Sequence, residues 1–174
     1  MSKVLPFLFA LGEKWQAWLA IFMVCVGLEA GAIYFQEVLM YYPCELCIYT
    51  RVWMTAMALF ALVAIPLRHN VWARRACIVI QLVLTFGLIR VVWKLLGIEY
   101  GWGPDGACSL YANFPQWAPL DEWLPVLFKV QDSCAATPKV LFSLSMADGL
   151  AVVSSGVFLA LAFALWGSFR PVKM

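Results

Sequence analysis

The chain has 174 residues, with 12 lysines and arginines against 10 aspartates and glutamates, so its formal net charge is only +2. Hydrophobic residues make up 64% of the sequence and charged residues 13%, whereas a soluble domain is about 45–50% apolar and about 25% charged. This composition excludes a disordered chain and a nucleic-acid-binding protein of the basic-patch type. It predicts a polytopic protein embedded in a lipid bilayer.

Four stretches are long and apolar enough to cross a membrane as helices, since one span requires about 20 residues. They are residues 15–35, 48–67, 76–96 and 150–169. The sequence therefore predicts an all-α membrane protein, a four-helix transmembrane bundle forming one integral membrane domain over residues 1–174. Its loops on one side would span about 36–47 and 97–149.

Basic residues are concentrated on one side of these spans and acidic residues on the other. The bases are Lys3, Lys14, Arg68, Arg74, Arg75, Arg170 and Lys173. By the positive-inside rule, both termini and the loop around His69 are predicted to be cytoplasmic, and the other two loops lie outside. Because the apolar run 4–11 is short and charged residues follow it, we expect no cleaved signal peptide.

The long outer loop carries large apolar residues at nearly helical spacing. They are Phe114, Trp117, Leu120, Trp123, Leu124, Leu127 and Phe128. Pro115, Pro119 and Pro125 divide the segment, which predicts one or two short amphipathic helices on the outer membrane surface, with tryptophans at headgroup depth. The alternative is an ordinary loop that packs its aromatic residues on the bundle.

The six cysteines divide by side of the membrane. Cys25 and Cys77 fall within the first and third spans, where we expect small, inert core residues. The other four fall on the outer side: Cys44, Cys47, Cys108 and Cys134. Thiols pair there if the compartment is oxidising. Three pairings are possible, and the natural choice joins the two that are close in sequence and then the two in the long loop.

Cys44 and Cys47 form a Cys-x-x-Cys motif at the start of the second span. Pro43 favours the first turn of a helix, and the aligned peptide dipoles of that turn stabilise a thiolate. Arg51 follows one turn after Cys47, on the same face, and adds a cation. These features predict a redox-active pair with a functional arginine. The alternative for Arg51 is a side chain that snorkels to the interface.

Two other uses of the motif are disfavoured. Residue 48 is Ile rather than His, so the attachment motif for c-type haem is absent. Cys108 and Cys134 lie far apart in the sequence, unlike the close ligand pairs of zinc sites, so we expect no metal. The alternative for this second pair is a structural staple; beside a redox pair on the same side, it indicates a relay.

A thiol relay needs a terminal electron acceptor, because exchange only moves oxidation between sulfurs. The chain has no dinucleotide-binding glycine motif, and its single histidine, His69, lies on the cytoplasmic side. A dithiol in the membrane points to a lipid-soluble acceptor, and a quinone fits. Arg51 would hydrogen-bond a quinone carbonyl and stabilise developing charge. For Glu29, a pair with Arg90 and a side chain that reaches towards the surface are the two alternatives, and it has no assigned role.

The segment 44–51, CELCIYTR, resembles the quinone-site signature of the bacterial disulfide bond formation protein B (DsbB) family. So do Leu28-Glu29, Phe35-Gln36, Phe114-Pro115-Gln116-Trp117, Pro119-Leu120-Asp121 and Trp123. The resemblance covers nearly the whole chain. It implies an enzyme of the bacterial inner membrane, a four-helix bundle that reoxidises DsbA, a periplasmic thiol oxidase with a thioredoxin fold.

The resemblance also implies a role for each site residue. Cys108 would form the mixed disulfide with the DsbA-type partner and would pair with Cys134. Cys44 would exchange with the loop cysteines, and Cys47 would form a thiolate–quinone charge-transfer complex beside Arg51. The quinone would be ubiquinone or menaquinone. Some family members have a histidine near the outer end of the third helix, which this chain lacks.

Two other functions fit four spans and two cysteine pairs. A quinone reductase of the vitamin K epoxide reductase type has a similar bundle, but its Cys-x-x-Cys typically lies late in the chain. A tetraspan scaffold with a disulfide-stapled outer loop would not be an enzyme. A relay would pass through reduced and mixed-disulfide states during turnover, whereas a scaffold would keep both disulfides.

Overall fold

The computed structural model describes residues 11–102, 109, 111–132, 139–141 and 144–169. A 3-10 turn, Leu11–Glu13, precedes the first helix. The other elements, in chain order, are helices α1 (Trp15–Glu37), α2 (Glu45–Leu67), α3 (Val71–Glu99), α4 (Leu120–Trp123) and α5 (Pro125–Phe128), strands β1 (Lys139–Leu141) and β2 (Leu144–Ser145), and helix α6 (Met146–Ser168). The two strands pair antiparallel.

Helices α1, α2, α3 and α6 are each long and apolar enough to cross a membrane. The predicted all-α, four-helix membrane architecture is thereby confirmed. Most of these helices begin before the apolar stretch, because a polar side chain caps the first turn. Asn70 accepts hydrogen bonds from the backbone N–H groups of Trp72 and Ala73, and Ser145 accepts one from Asp148. The short strand pair was not predicted, since such strands leave little periodic signal.

The core lies between the long helices, with α1 packed on α2, α2 on α3 and α3 on α6. Each helix contributes to it; Trp18, Met54, Ile78 and Leu161 are examples. Cys25 and Cys77 are buried among these residues, in keeping with the expected core role. The outward faces carry exposed aliphatic and aromatic residues along their length. Such a surface suits lipid, which is as apolar as these side chains.

The 3-10 turn that precedes α1 and the last turn of α6 lie at the same end of the bundle, which we call the terminal end. Arg74, in the first turn of α3, forms a salt bridge with Glu13 at 3.1 Å. Arg75 donates a hydrogen bond to the carbonyl of Ser168 at the end of α6. The 3-10 turn, the α2–α3 connection and the end of α6 therefore lie together.

The opposite end holds the start of α2 and the contacts of the long loop, and we call it the cysteine end. There, the hydroxyl of Tyr100, just after α3, donates hydrogen bonds to both carboxylate oxygens of Asp148 in α6, at 3.1 and 3.0 Å. This bond raises the pKa of Tyr100, because the charged carboxylate favours the protonated phenol. The pair ties the last turn of α3 to the first turn of α6.

The long loop forms two separate helical turns, α4 and α5, where the sequence predicted one or two amphipathic helices. Trp117 and Trp123 are strongly exposed, whereas Phe128 is buried. The loop thus presents some of its aromatic residues outward and packs another into the bundle. Its position on a membrane surface stays a prediction, and Cys108 and Cys134 lie outside the described residues.

Candidate functional site

Cys44 and Cys47 lie at the N-terminus of α2, with Cys44 as the capping residue. The Cys44 sulfur accepts a hydrogen bond from the backbone N–H of Cys47 at 3.3 Å, and the two Sγ atoms are 2.7 Å apart. The preference of proline for the first helical turn had suggested that Pro43 would lie inside the helix. Instead, Pro43 lies one residue before the cap. The helix thus starts at the motif itself, three residues before the predicted span.

A turn after the end of α1 connects this helix to Cys44, the cap of α2. Met40 has a φ of +56°, in the left-handed region, and the backbone N–H of Tyr41 donates to the carbonyl of Phe35 at 3.0 Å. A non-glycine residue in this region is uncommon. The reversal leads the chain from α1 through Pro43 into the start of α2.

The two sulfurs have different surroundings. Cys44 is 3% exposed and packs with Leu46, Leu95 and Ala147, whereas Cys47 is only partly buried. The hydrogen bond between the two thiols, together with burial, raises the pKa of Cys44. When the pair is reduced, the thiol of Cys44 therefore holds its proton more firmly than an ordinary cysteine.

Arg51 is 4% exposed, and its guanidinium turns inward rather than snorkelling to the surface. One terminal nitrogen, Nη1, donates to the side-chain oxygen of Gln36 at 2.9 Å and to the carbonyl of Leu127 at 3.1 Å. The other, Nη2, donates to the carbonyl of Ala32 at 3.4 Å. The charge of Arg51 interacts electrostatically with Cys47. The structure thus brings these two predicted site residues together.

Gln36 joins Arg51 to the long loop. Its side-chain oxygen accepts from Arg51, and its nitrogen donates to the carboxylate of Glu37 at 2.9 Å and to the carbonyl of Val126 at 3.3 Å. The sequence pattern predicted no function for Gln36, and only the family resemblance included this residue. No local signal marked it, because Gln36 falls just beyond the predicted span 15–35 and its burial is seen only in the structure.

A second contact holds the loop at Glu45, between the two cysteines. The backbone N–H of Ser109 donates to one oxygen of the Glu45 carboxylate, and the hydroxyl of Tyr49 donates to the other at 3.1 Å. Tyr49 in turn accepts from the backbone N–H of Asn113 at 2.9 Å and meets the ring of Phe114 edge-on. The loop is therefore attached to the first two turns of α2.

A third contact lies at Pro43, just before the cysteine cap. Its carbonyl accepts hydrogen bonds from the backbone N–H groups of Gln131 at 3.0 Å and Asp132 at 3.3 Å. After α5, the loop thus returns to the start of α2, where Ser109 also contacts it.

Glu29 lies deeper in α1, and the charge of Arg51 acts on it. One of its carboxylate oxygens accepts a hydrogen bond from Thr55 at 3.2 Å, while the other is buried and has no hydrogen-bond partner among the described residues. Arg90 is exposed, and within the described ranges no ion pair joins it to Glu29. The contact with Thr55 was not foreseen.

Comparison with known proteins gives consistent matches over most of the chain. The family model described as disulfide bond formation protein DsbB matches residues 14–165. A relative from Vibrio parahaemolyticus, named disulfide bond formation protein B, is 31% identical over 157 residues, which cover 90% of this chain and 88% of the relative. Proteins of the same name from Shewanella denitrificans and Psychromonas ingrahamii are each 31% identical, covering 92% and 98% of this chain and 89% and 92% of their own.

Proposed function

The chain belongs to the DsbB family of disulfide bond formation proteins, and from this premise we propose that it reoxidises a periplasmic DsbA-type partner and reduces a membrane quinone. As a family member it is a multi-pass membrane protein and a protein-disulfide-forming oxidoreductase. The proposal places it in the bacterial inner membrane with both termini in the cytoplasm. The acceptor is ubiquinone or menaquinone.

The proposed relay uses two cysteine pairs. We call Cys44 and Cys47 the helix pair, and Cys108 and Cys134 the loop pair. The partner's two thiols become a disulfide as the disulfide of the loop pair is reduced to two thiols. The loop pair is then reoxidised as the helix pair is reduced. The quinone accepts two electrons and two protons from the helix pair, which returns to a disulfide, and leaves as quinol.

The loop contacts on both sides of Cys44 carry this proposal. Ser109 and Asp132 are the described residues that lie closest in sequence to the loop pair. Ser109 is bonded to Glu45 and Asp132 to Pro43, the two residues that flank Cys44. Both arms of the loop are therefore anchored beside the same cysteine, which supports exchange between the loop pair and the helix pair.

The two members of the helix pair are suited to different steps. Cys44 has a raised pKa and is buried in a cluster with Leu95 and Ala147, so exchange with the loop pair requires this sulfur to become exposed. Cys47 is the more exposed residue of the pair and has the cation Arg51 one helical turn further along α2. A buried guanidinium acts strongly on charge, because little water screens it. This donor set fits a quinone, with Arg51 binding a carbonyl oxygen.

A direct test is quinone-dependent oxidation of a reduced DsbA-type protein by the purified enzyme. We expect one quinone to be reduced for every two partner thiols lost. Cys47→Ser and Cys108→Ser should each abolish turnover, whereas Cys25→Ser, which changes a core cysteine outside both pairs, should retain it. Full activity in either of the first two variants would contradict the relay. Persistence of both disulfides throughout exposure to reduced partner would favour a scaffold instead.

The assignment of Cys47 has a separate spectroscopic test. In a Cys44→Ser variant with quinone bound, the free Cys47 thiolate next to the acceptor should produce a visible absorption band. Cys47→Ser in the same background is the matched control and should lack the band. If the Cys44→Ser variant has no visible band, Cys47 is not the sulfur that faces the quinone.

A further inference from the structure

We propose that Gln36 is a positioning residue that fixes the guanidinium of Arg51 beside Cys47 and secures α5 to the same spot. This inference rests on the proposed function, since it concerns how Arg51 is presented to the quinone. It gives a specific role to a residue of α1 at a site whose cysteines and arginine belong to α2 and its cap. Gln36 itself need not touch the quinone.

The contacts of Gln36 show why it is suited to this role. Among the described residues, it makes the only side-chain hydrogen bond to Arg51, and the other two acceptors are backbone carbonyls. Gln36 is 3% exposed, and its oxygen and nitrogen are both bonded. An arginine has many rotamers, so a buried and fully bonded acceptor removes much of its freedom.

The neutral amide has a further consequence for the charge of Arg51. A carboxylate at position 36 would pair with the guanidinium and cancel much of its field. An amide oxygen accepts the same hydrogen bond and leaves the positive charge available to the neighbouring sulfur. Cys47 lies one helical turn before Arg51 on the same face of α2. Gln36 can therefore orient Arg51 without neutralising it.

The same amide also binds the loop. Its nitrogen donates to the carbonyl of Val126, while Arg51 donates to the next carbonyl, that of Leu127. Phe128, the following residue, is buried. Loss of the Gln36 side chain would thus release two links at once, one within the site and one between the site and α5.

The test replaces Gln36 with methionine, which has a similar shape but cannot form these hydrogen bonds. Gln81→Met is the matched control, because Gln81 is a fully buried glutamine of α3 whose side chain has no partner among the described residues. Kinetics would use a short-chain ubiquinone and a saturating reduced partner. We expect Gln36→Met to raise the KM for quinone about tenfold, the scale of one hydrogen bond to a charged group, with little change in kcat. Gln81→Met should leave both unchanged.

Two further readouts do not depend on turnover. Without added quinone, hydrogen–deuterium exchange over residues 124–132 should be faster in Gln36→Met than in Gln81→Met. In the Cys44→Ser background, the visible band should weaken at a given quinone concentration. If Gln36→Met does not fold, Gln36→Asn, which keeps an amide but is shorter, should show smaller changes in the same direction.

The outcomes separate this inference from the proposed function. A wild-type KM together with wild-type exchange in Gln36→Met would overturn the positioning role while leaving the relay intact. Absence of quinone-dependent oxidation by the wild-type protein would instead overturn the proposed function. If Gln81→Met changed the KM for quinone as much as Gln36→Met, the inference would also be contradicted. Such a result would show that replacing any buried glutamine has this effect.

Discussion

Glu45 shows how a single residue can connect the two halves of the proposed relay. Its carboxylate accepts hydrogen bonds from Ser109 in the loop and from Tyr49 one turn further along α2. It also follows Cys44 directly in sequence, at the first position of the helix. A negative side chain is favourable there, because the helix N-terminus carries partial positive charge. Glu45 thereby stabilises the first turn and holds the loop near the helix pair.

Replacing Glu45 with alanine should slow exchange between the loop pair and the helix pair. Losing a hydrogen bond to a charged acceptor corresponds to about a tenfold change, so we expect kcat with reduced partner to fall by about that factor. Stopped-flow reduction of quinone would measure it. Glu45→Gln should restore most of the rate, because it retains an acceptor oxygen.

The control for this prediction removes the loop pair from the pathway. In a Cys108→Ser, Cys134→Ser background, dithiothreitol can reduce the helix pair directly, and Glu45→Ala should then reduce quinone at the rate of its parent. A similar slowing in that background would place the effect of Glu45 at the helix pair and not at the exchange. Glu122→Ala, in an exposed part of the loop, should have no effect in either background.

The site residues that are close together in the sequence could be predicted from the sequence alone. The spacing of Cys44, Cys47 and Arg51 places them on one helical face, and the structure brings them together. The partners of Arg51 could not be inferred in this way. Gln36 and Leu127 are distant in sequence and meet Arg51 through packing of α1 and the loop on α2. No local pattern encodes such contacts.

At the scale of the secondary-structure elements, the start of α6 depends on a capping box. The Ser145 hydroxyl accepts a hydrogen bond from the backbone N–H of Asp148, and the Asp148 carboxylate accepts from the backbone N–H of Ser145. The same carboxylate also accepts from Tyr100 after α3. One side chain therefore caps a helix and joins it to its neighbour at the cysteine end.

Asp148→Ala should lower the stability of the folded protein by about 1 kcal/mol, because it removes the reciprocal hydrogen bond of the capping box and the acceptor for Tyr100. The measurement is the unfolding midpoint of the purified protein in detergent. Asp121→Ala is the control, because Asp121 lies in the first turn of α4, where no side chain caps the helix. An equal loss in both variants would argue against a specific role for the capping box.

The ends of elements were harder to predict than their existence. Hydropathy identifies the part of a helix that suits lipid, while the first turns of α3 and α6 are set by polar caps at Asn70 and Ser145. In the loop, Leu124 separates α4 from α5, and the apolar spacing did not show which aromatic residue would be buried. Phe128 is buried because the adjacent backbone is bonded to Gln36 and Arg51.

For the whole molecule, the four long helices place the terminal end and the cysteine end far apart. The salt bridge of Glu13 with Arg74 and the contact of Arg75 with Ser168 are at the terminal end. Tyr100, Asp148 and the helix pair are at the other. Of the described basic residues, Lys14, Arg68, Arg74 and Arg75 lie at the terminal end, which the positive-inside rule predicts to face the cytoplasm. Orientation thus decides whether the helix pair meets an oxidising compartment.

The last prediction concerns that orientation, and two exposed positions test it. His69 lies in the α2–α3 connection and Tyr111 in the long loop. In a background with serine at both cysteine pairs, His69→Cys and Tyr111→Cys would each be treated with a membrane-impermeant maleimide in spheroplasts. Tyr111→Cys should react in intact spheroplasts and His69→Cys only after permeabilisation, while the parent, whose Cys25 and Cys77 are buried, should not react. The reverse pattern would place the helix pair on the reducing side, where a relay to a periplasmic partner cannot operate.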